Sequence, residues 1–420
     1  MRRMQAVRVI AVAVSASAMT TACGGGGDGS SSGGSSGSLS TISSLPKATG
    51  AVSGSSSSSV GSSAATTGVL LKNVDDSATW SGGGKSRPMC ELGTMTREIL
   101  RDASGTDRTL CYVGKMQQLG KFSQSLDDGS YKFYSVTFGG SPQLRVKFRI
   151  VKDSAGAISS YTMFTCQTED GGATYSQNEY LNQTIASGVA TITAKNVGSG
   201  SGGGQTISYG SQTTVTGSIN SSGSWTSKLI EAARTFSYDG TGAQDGAFHQ
   251  KLTLTQAANN MIINGYNSAT FYNAGKMGGA GNSTFSMRLY GKTQILGSSS
   301  LSTMAFGDGT AKAIMAFDGT DVSGAGSGVA ATKHWAGDTA LDVGTSDYAA
   351  DVASATPRAD DGAVSVSFSS GETWDCSTTD SGFSTADIGA SDMATVQTCD
   401  SEFGFGSGEE GGSNACFAMP

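Results

Sequence analysis

From Tyr131 onward, apolar and polar residues alternate one by one. The clearest stretch sets Leu144, Val146, Phe148 and Ile150 against Arg145, Lys147 and Arg149. A period of two belongs to a half-buried strand, with one face in a core and the other in water. Similar alternation recurs over 158–168, 174–185, 189–195, 206–219, 248–255, 261–272, 284–296, 301–306, 311–317 and 364–368. Asp-Gly pairs begin at 128, 170, 239, 245, 308, 318 and 361, and Asn-Gly at 264. Both pairs supply the positive φ that two-residue hairpin turns need. Parallel crossovers would require a helix between successive strands, and no regular alternation of helices accompanies these runs.

Ahead of Tyr131 the period is that of a helix. Ser86 and Pro88 precede a stripe of Leu92, Met95, Ile99 and Leu100, which stops at Ser104-Gly105. Thr106 or Asp107 then caps a second run of Leu110, Val113, Met116 and Leu119, closed by Gly120. The pattern predicts a mainly β protein: an antiparallel meander, as a sheet, half-barrel or sandwich, with an N-terminal helical hairpin packed on it. Met304-Ala305-Phe306 and Met315-Ala316-Phe317 echo each other as two strand ends entering similar turns. Past about residue 321 the pattern loosens, with helix-like pieces near 348–355 and 385–396. Residues 66–320 are therefore expected to hold the hairpin and sheet. Residues 321–420 form an irregular, disulfide-containing part, either a subdomain or a continuation of the same domain.

The start of the chain has a different character. Arg2, Arg3 and Arg8 flank or precede an apolar run from Val9 to Met19, too short to span a bilayer, and Thr20-Thr21-Ala22 leads to Cys23. This arrangement resembles a bacterial lipoprotein signal peptide. The resemblance implies cleavage after residue 22, acylation of Cys23 and anchorage to a membrane. Gly24 at the next position resembles lipoproteins passed on to an outer membrane. A chain cut without acylation would instead be secreted. Residues 24–65 are dominated by Gly, Ser, Ala and Thr, a composition too poor in large apolar groups to offset the entropy of ordering. They read as a flexible tether with a root-mean-square reach of about 35 Å.

Seven cysteines are an awkward number for an oxidising compartment. With Cys23 reserved for lipid, Cys90, Cys111, Cys166, Cys376, Cys399 and Cys416 can close three disulfides. Nearness in sequence favours Cys376 with Cys399 and Cys90 with Cys111. No Cys-x-x-Cys occurs, which argues against a zinc cluster or a thioredoxin-like centre.

Charge narrows the partners. Removing residues 1–22 takes three arginines and no acid, moving the formal charge from −7 to −10. Such a surface disfavours nucleic acid, whose phosphates require basic partners. The row Arg145, Lys147, Arg149 is the most localised charge feature. It could contact an anionic headgroup or polysaccharide, or be matched by acids on neighbouring strands.

Catalytic constellations are scarce. His249 shares the polar face of a strand with Lys251 and Thr253, and His334 has no motif around it. Gly33-Gly34-Ser35-Ser36-Gly37 fits a nucleophile elbow but lies in the tether. Residues 198–203 fit a dinucleotide fingerprint but precede a strand, Thr206 to Tyr209, and not the helix that would hold phosphate. Paired acids at 75–76, 127–128, 360–361 and 409–410 sit in turn-like sequence without the calcium-loop spacing. No catalytic residue, metal site or cofactor is assigned. The expected function is that of a non-enzymatic cell-envelope lipoprotein. It would be lipid-anchored, with the outer membrane the expected site, and its β domain would meet an envelope or surface partner. A carrier of a hydrophobic ligand and a secreted hydrolase are the alternatives.

Overall fold

A computed structural model describes residues 45–50, 52, 87–122, 128–168, 170–202, 205–240, 245–257, 260–272, 283–296, 299–307, 312–319, 329–330, 333–336, 339–342, 358, 364–377 and 382–402. Residues 1–22, read above as a signal-like start, together with Cys23, Cys416 and the stretch at 348–355 read as helix-like, lie outside them. The fold is mainly β. Helix α1 (Arg87–Gln118) is followed by β1 (Lys132–Phe138), β2 (Ser141–Lys152), β3 (Ile158–Gln167) and β4 (Ser176–Ala186). Long strands come next: β5 (Val189–Gly202), β6 (Gln205–Ile219), β7 (Trp225–Gly240), β8 (Asp245–Ala257), β9 (Asn260–Tyr272) and β10 (Ser283–Leu296). Shorter ones follow: β11 (Ser299–Gly307), β12 (Lys312–Gly319), β13 (Val329–Ala330), β14 (Lys333–Ala336) and β15 (Thr339–Asp342). The described chain closes with β16 (Ser384–Ile388) and helix α2 (Ala390–Glu402).

The chain divides into two compact units, one of residues 1–48, 104–186 and 368–420, the other of residues 49–103 and 187–367. In the first unit the strand order is β4-β3-β2-β1-β16. Neighbours are antiparallel except that β16 runs parallel to β1. The alternation read from the sequence is realised here: Leu144, Val146, Phe148 and Ile150 are buried and Arg145, Lys147 and Arg149 half-buried. The apolar face meets Leu110, Tyr112, Val113 and Met116 of α1, and the Tyr134 and Phe148 rings stack with centroids 5.7 Å apart.

In the second unit β5 to β13 pair in chain order, each antiparallel to the next, with β14 and β15 forming a separate pair. The Met304 and Met315 echo is a strand pair, the two methionines lying opposite each other in β11 and β12. Ile192, Val215, Ile230, Leu252 and Ile263 are among its buried residues. Arg234 donates to Asp102 of α1, its Nε at 2.8 Å from Oδ2, so that this buried cation is paired.

Five expectations need correction. First, the helical hairpin is one continuous helix, because α1 runs straight through Ser104-Gly105. A mid-helix Gly costs only about 1 kcal/mol relative to Ala. The burial of Ala103, Leu110, Val113 and Met116 on either side offsets that cost. The helix does end at Gly120, where Gly120 N–H bonds the Gln117 carbonyl and Lys121 N–H that of Met116, the Schellman pattern.

Second, residues 45–50 and Val52 belong to the folded body although composition places them in the tether. In the first unit Leu45 and Ala48 are buried; Ala48 N–H donates to Asp107 at 2.7 Å and Gln183 to the Pro46 carbonyl at 3.1 Å. In the second, Val52 is buried and bridged to Trp225, and Lys228 donates to the Gly50 carbonyl.

Third, neither expected disulfide forms; the bonds are Cys111–Cys399 and Cys166–Cys376. Cys90 and Cys111 stand 21 residues apart on one helix, an axial separation of about 31 Å. Cys376 lies with Cys166 on the face of the sheet away from α1, whereas Cys399 lies on α2 against α1, so the sheet separates them. Both bonds tie described residues of the 368–402 stretch into the first unit.

Fourth, Asn264-Gly265 is no turn but the middle of β9. A Cβ on Gly265 would lie 2.8 Å from the Lys251 carbonyl of β8, a close approach that only Gly permits. Fifth, the helix-like piece at 385–396 begins as β16, and residues 364–368 form no strand.

Candidate functional site

Among the described residues, the basic row on β2 lies against aromatic rings. Across the ladder Lys147 faces Phe133 of β1 and Phe164 of β3. Its Nζ is 4.5 Å from the ring centre of Tyr131, 5.1 Å from that of Phe164, 5.7 Å from that of Phe133 and 5.8 Å from that of Trp374. The Arg145 guanidinium carbon lies 4.1 Å from the Tyr175 ring centre and 5.2 Å from that of Phe383, and its Nη1 donates to the Cys376 carbonyl. Arg149 rests 4.6 Å over Tyr131. A cation over an aromatic face is attracted by the ring quadrupole, and the attraction grows as water is excluded.

Chain connectivity assembles this array. Tyr131 and Phe133 alternate along β1 and its approach, so both point to the face of the sheet opposite α1. Trp374 and Phe383 come from the segment that the Cys166–Cys376 disulfide pins to β3. Gln177 holds the same segment by donating to the Glu372 carbonyl at 2.7 Å and accepting from Trp374 N–H at 2.7 Å. Phe133, Trp374 and Phe383 contact one another with centroids 5.7 to 6.2 Å apart. The result is a half-buried platform of rings and three cations in an acidic chain.

A second polar cluster lies on the other face of that sheet, under α1. The Tyr112 hydroxyl donates to Asp400 of α2, and Arg108 pairs with the same carboxylate at 3.4 Å. Glu179 of β4 is buried beside them and lines a cavity of about 50 Å³. Burial pushes its carboxyl up to about 7, while a hydrogen bond with Thr165 and the charge of Arg108 act the other way. Burial also raises Asp400 and Tyr112 and lowers Arg108.

The remaining candidates take structural roles where they are described. Asp128 accepts from Ser130 N–H at 2.9 Å and pairs with Lys132; the Lys132 bond, with help from Ser130, holds the carboxyl well below the usual range. Residues 198–202 are strand, paired with 205–209, and the Tyr209 ring lies over Gly198 where a Cβ would clash, so no phosphate-binding helix start exists there. His249 stands half-buried between Thr235 and Ser268. His334 lies in β14. Cys90 lies in the first turn of α1. Among the described residues no group of three His, Cys, Asp or Glu side chains is placed to hold a metal ion, and no helix is long and apolar enough to cross a membrane.

The chain matches no protein-family model, no curated protein and no solved structure.

Proposed function

We propose that this chain is a non-enzymatic lipoprotein of the bacterial cell envelope, acylated at Cys23, whose β-rich body contacts an anionic polysaccharide at the envelope or cell surface. The cation–aromatic face of the first unit carries the reading. Rings offer flat apolar surfaces to sugar C–H groups, and the cations beside them offer charge to acidic substituents. Among the described residues neither Arg145 nor Arg149 has a carboxylate partner, so both guanidinium groups retain capacity for an added anion. Outer-membrane anchorage follows from the signal-like start and Gly24. An even set of six cysteines remains once Cys23 is reserved for the lipid.

A carrier of hydrophobic ligand needs a cavity of several hundred Å³. The cavity of about 50 Å³ beneath α1 is too small for an acyl chain. The test is binding of the mature chain, with Cys23→Ser to keep it in solution, to polygalacturonate and to a neutral glucan. Salt-sensitive binding to the acidic polymer, weakened at least tenfold in the Arg145→Gln/Arg149→Gln variant, supports the reading. Equal binding to both polymers, an unaffected variant, or no binding overturns it.

A further inference from the structure

The polar cluster under α1 has a geometry that the cation–aromatic face does not use. Thr165 of β3 pairs with Glu179 of β4, but Cys166 pairs with Gln177, so Asn178 is an extra, unopposed residue. Such a bulge re-aims the side chains beside it. Asn178 and Glu179 are consecutive yet both buried, at 6% and 5% exposure, where strict alternation would send one of them to the opposite face. Among the described residues, neither polar atom of the Asn178 amide has a hydrogen-bond partner, and Glu179 Oε1 has none either. Glu179 faces a cavity walled mainly by apolar groups, among them Val113, Met116, Val146 and Met163. Arg108 from α1 is the charge that acts on it and Tyr112 of the same helix feels it in turn, while Asp400 from α2 stands one step away, bonded to both. From β3 comes only the Thr165 hydroxyl, and the β1 and β2 walls are apolar. Asp107, next to Arg108, directs its carboxylate to Ala48 N–H. Arg108 and Tyr112 are both engaged by Asp400, which leaves the Glu179 carboxylate incompletely compensated.

We propose that Glu179 is a proton-operated latch on helix α1. As a neutral carboxyl it sits in the apolar cavity and the helical segment 108–116 stays seated on the sheet. As a carboxylate it draws water into the cavity and that segment loosens. A cavity of about 50 Å³ has room for a water molecule.

The direction with pH follows from linkage. The seated state holds its proton up to about pH 7, whereas an opened, hydrated Glu releases it near 4.5. Seating is therefore strongest below about pH 4.5, weakens as pH rises towards 7, and levels off above. Hydrogen exchange of amides 108–116 in the mature chain, corrected for intrinsic rates, tests this. Between pH 5.5 and 8 the protection should fall ~30-fold, the ratio set by those two values. Glu179→Gln should abolish the fall, whereas an equal fall in the variant, or none in the parent, overturns the latch. If Glu179→Gln does not fold, carbon-13 titration of the parent's Glu179 carboxyl decides: a midpoint near 7 supports the latch and one below 5 overturns it.

Discussion

Lys147 directs its ammonium toward the indole of Trp374, 5.8 Å from the ring centre, although the two residues lie 227 positions apart in sequence. The disulfide that joins Cys166 to Cys376 fixes the contact. Each cysteine lies two positions beyond an aromatic neighbour of Lys147, Phe164 in one strand and Trp374 in the other segment.

Truncating that indole should therefore unsettle the platform as a whole. Trp374→Ala removes a 9%-exposed ring and is expected to cost ~3 kcal/mol, from lost burial and lost ring contacts. Lys147→Met keeps the side-chain length and removes only the cation–π component, for ~1 kcal/mol. Urea unfolding of the two variants checks the order: the Trp change must exceed the Lys change.

Peptide mapping without reduction should recover Cys111 joined to Cys399 and Cys166 joined to Cys376. Loops of such length make each bond worth a few kcal/mol through the unfolded chain. Cys166→Ser/Cys376→Ser should accordingly lower the unfolding midpoint of the first unit. Recovery of a Cys376–Cys399 or Cys90–Cys111 peptide would contradict the described pairing.

The buried Leu45, Ala48 and Val52 set residues 45–50 and Val52 apart as a strap. Deleting 24–43 should leave the melting temperature within error of the parent. Extending the deletion through 52 should cost roughly 3 kcal/mol of apolar burial, together with the hydrogen bonds to Ala48, Pro46 and Gly50. Equal melting of the two deletions would show that the strap contributes nothing.

The parts of this fold legible in the sequence are those where burial and hydrophobicity agree. The stretch from Leu144 to Ile150 is buried at every second position by apolar residues, and its period announces the strand. Strand β7 has the same geometry, but Lys228 and Arg234 occupy buried positions and Leu229 a half-buried one, so its polarity pattern conceals it. Arg145, Lys147 and Arg149 were readable as a row on one face. Their partners were not, because Trp374 and Phe383 reach that face only through a long-range disulfide and a parallel strand pairing. Glu179 gave no signal, since a single-residue bulge decides which way it points. The two-helix reading failed at Ser104-Gly105, where local propensity suggests a stop and tertiary packing carries the helix through.

The proposed envelope role depends on acylation at Cys23, which would hold the cation–aromatic face out from a membrane. Mass spectrometry of the amino-terminal peptide from the native, membrane-extracted protein tests it most directly. The expected first residue is Cys23 carrying a thioether-linked diacylglyceryl group, with residues 1–22 gone. A start at Met1, or a Cys23 free of lipid, would contradict it.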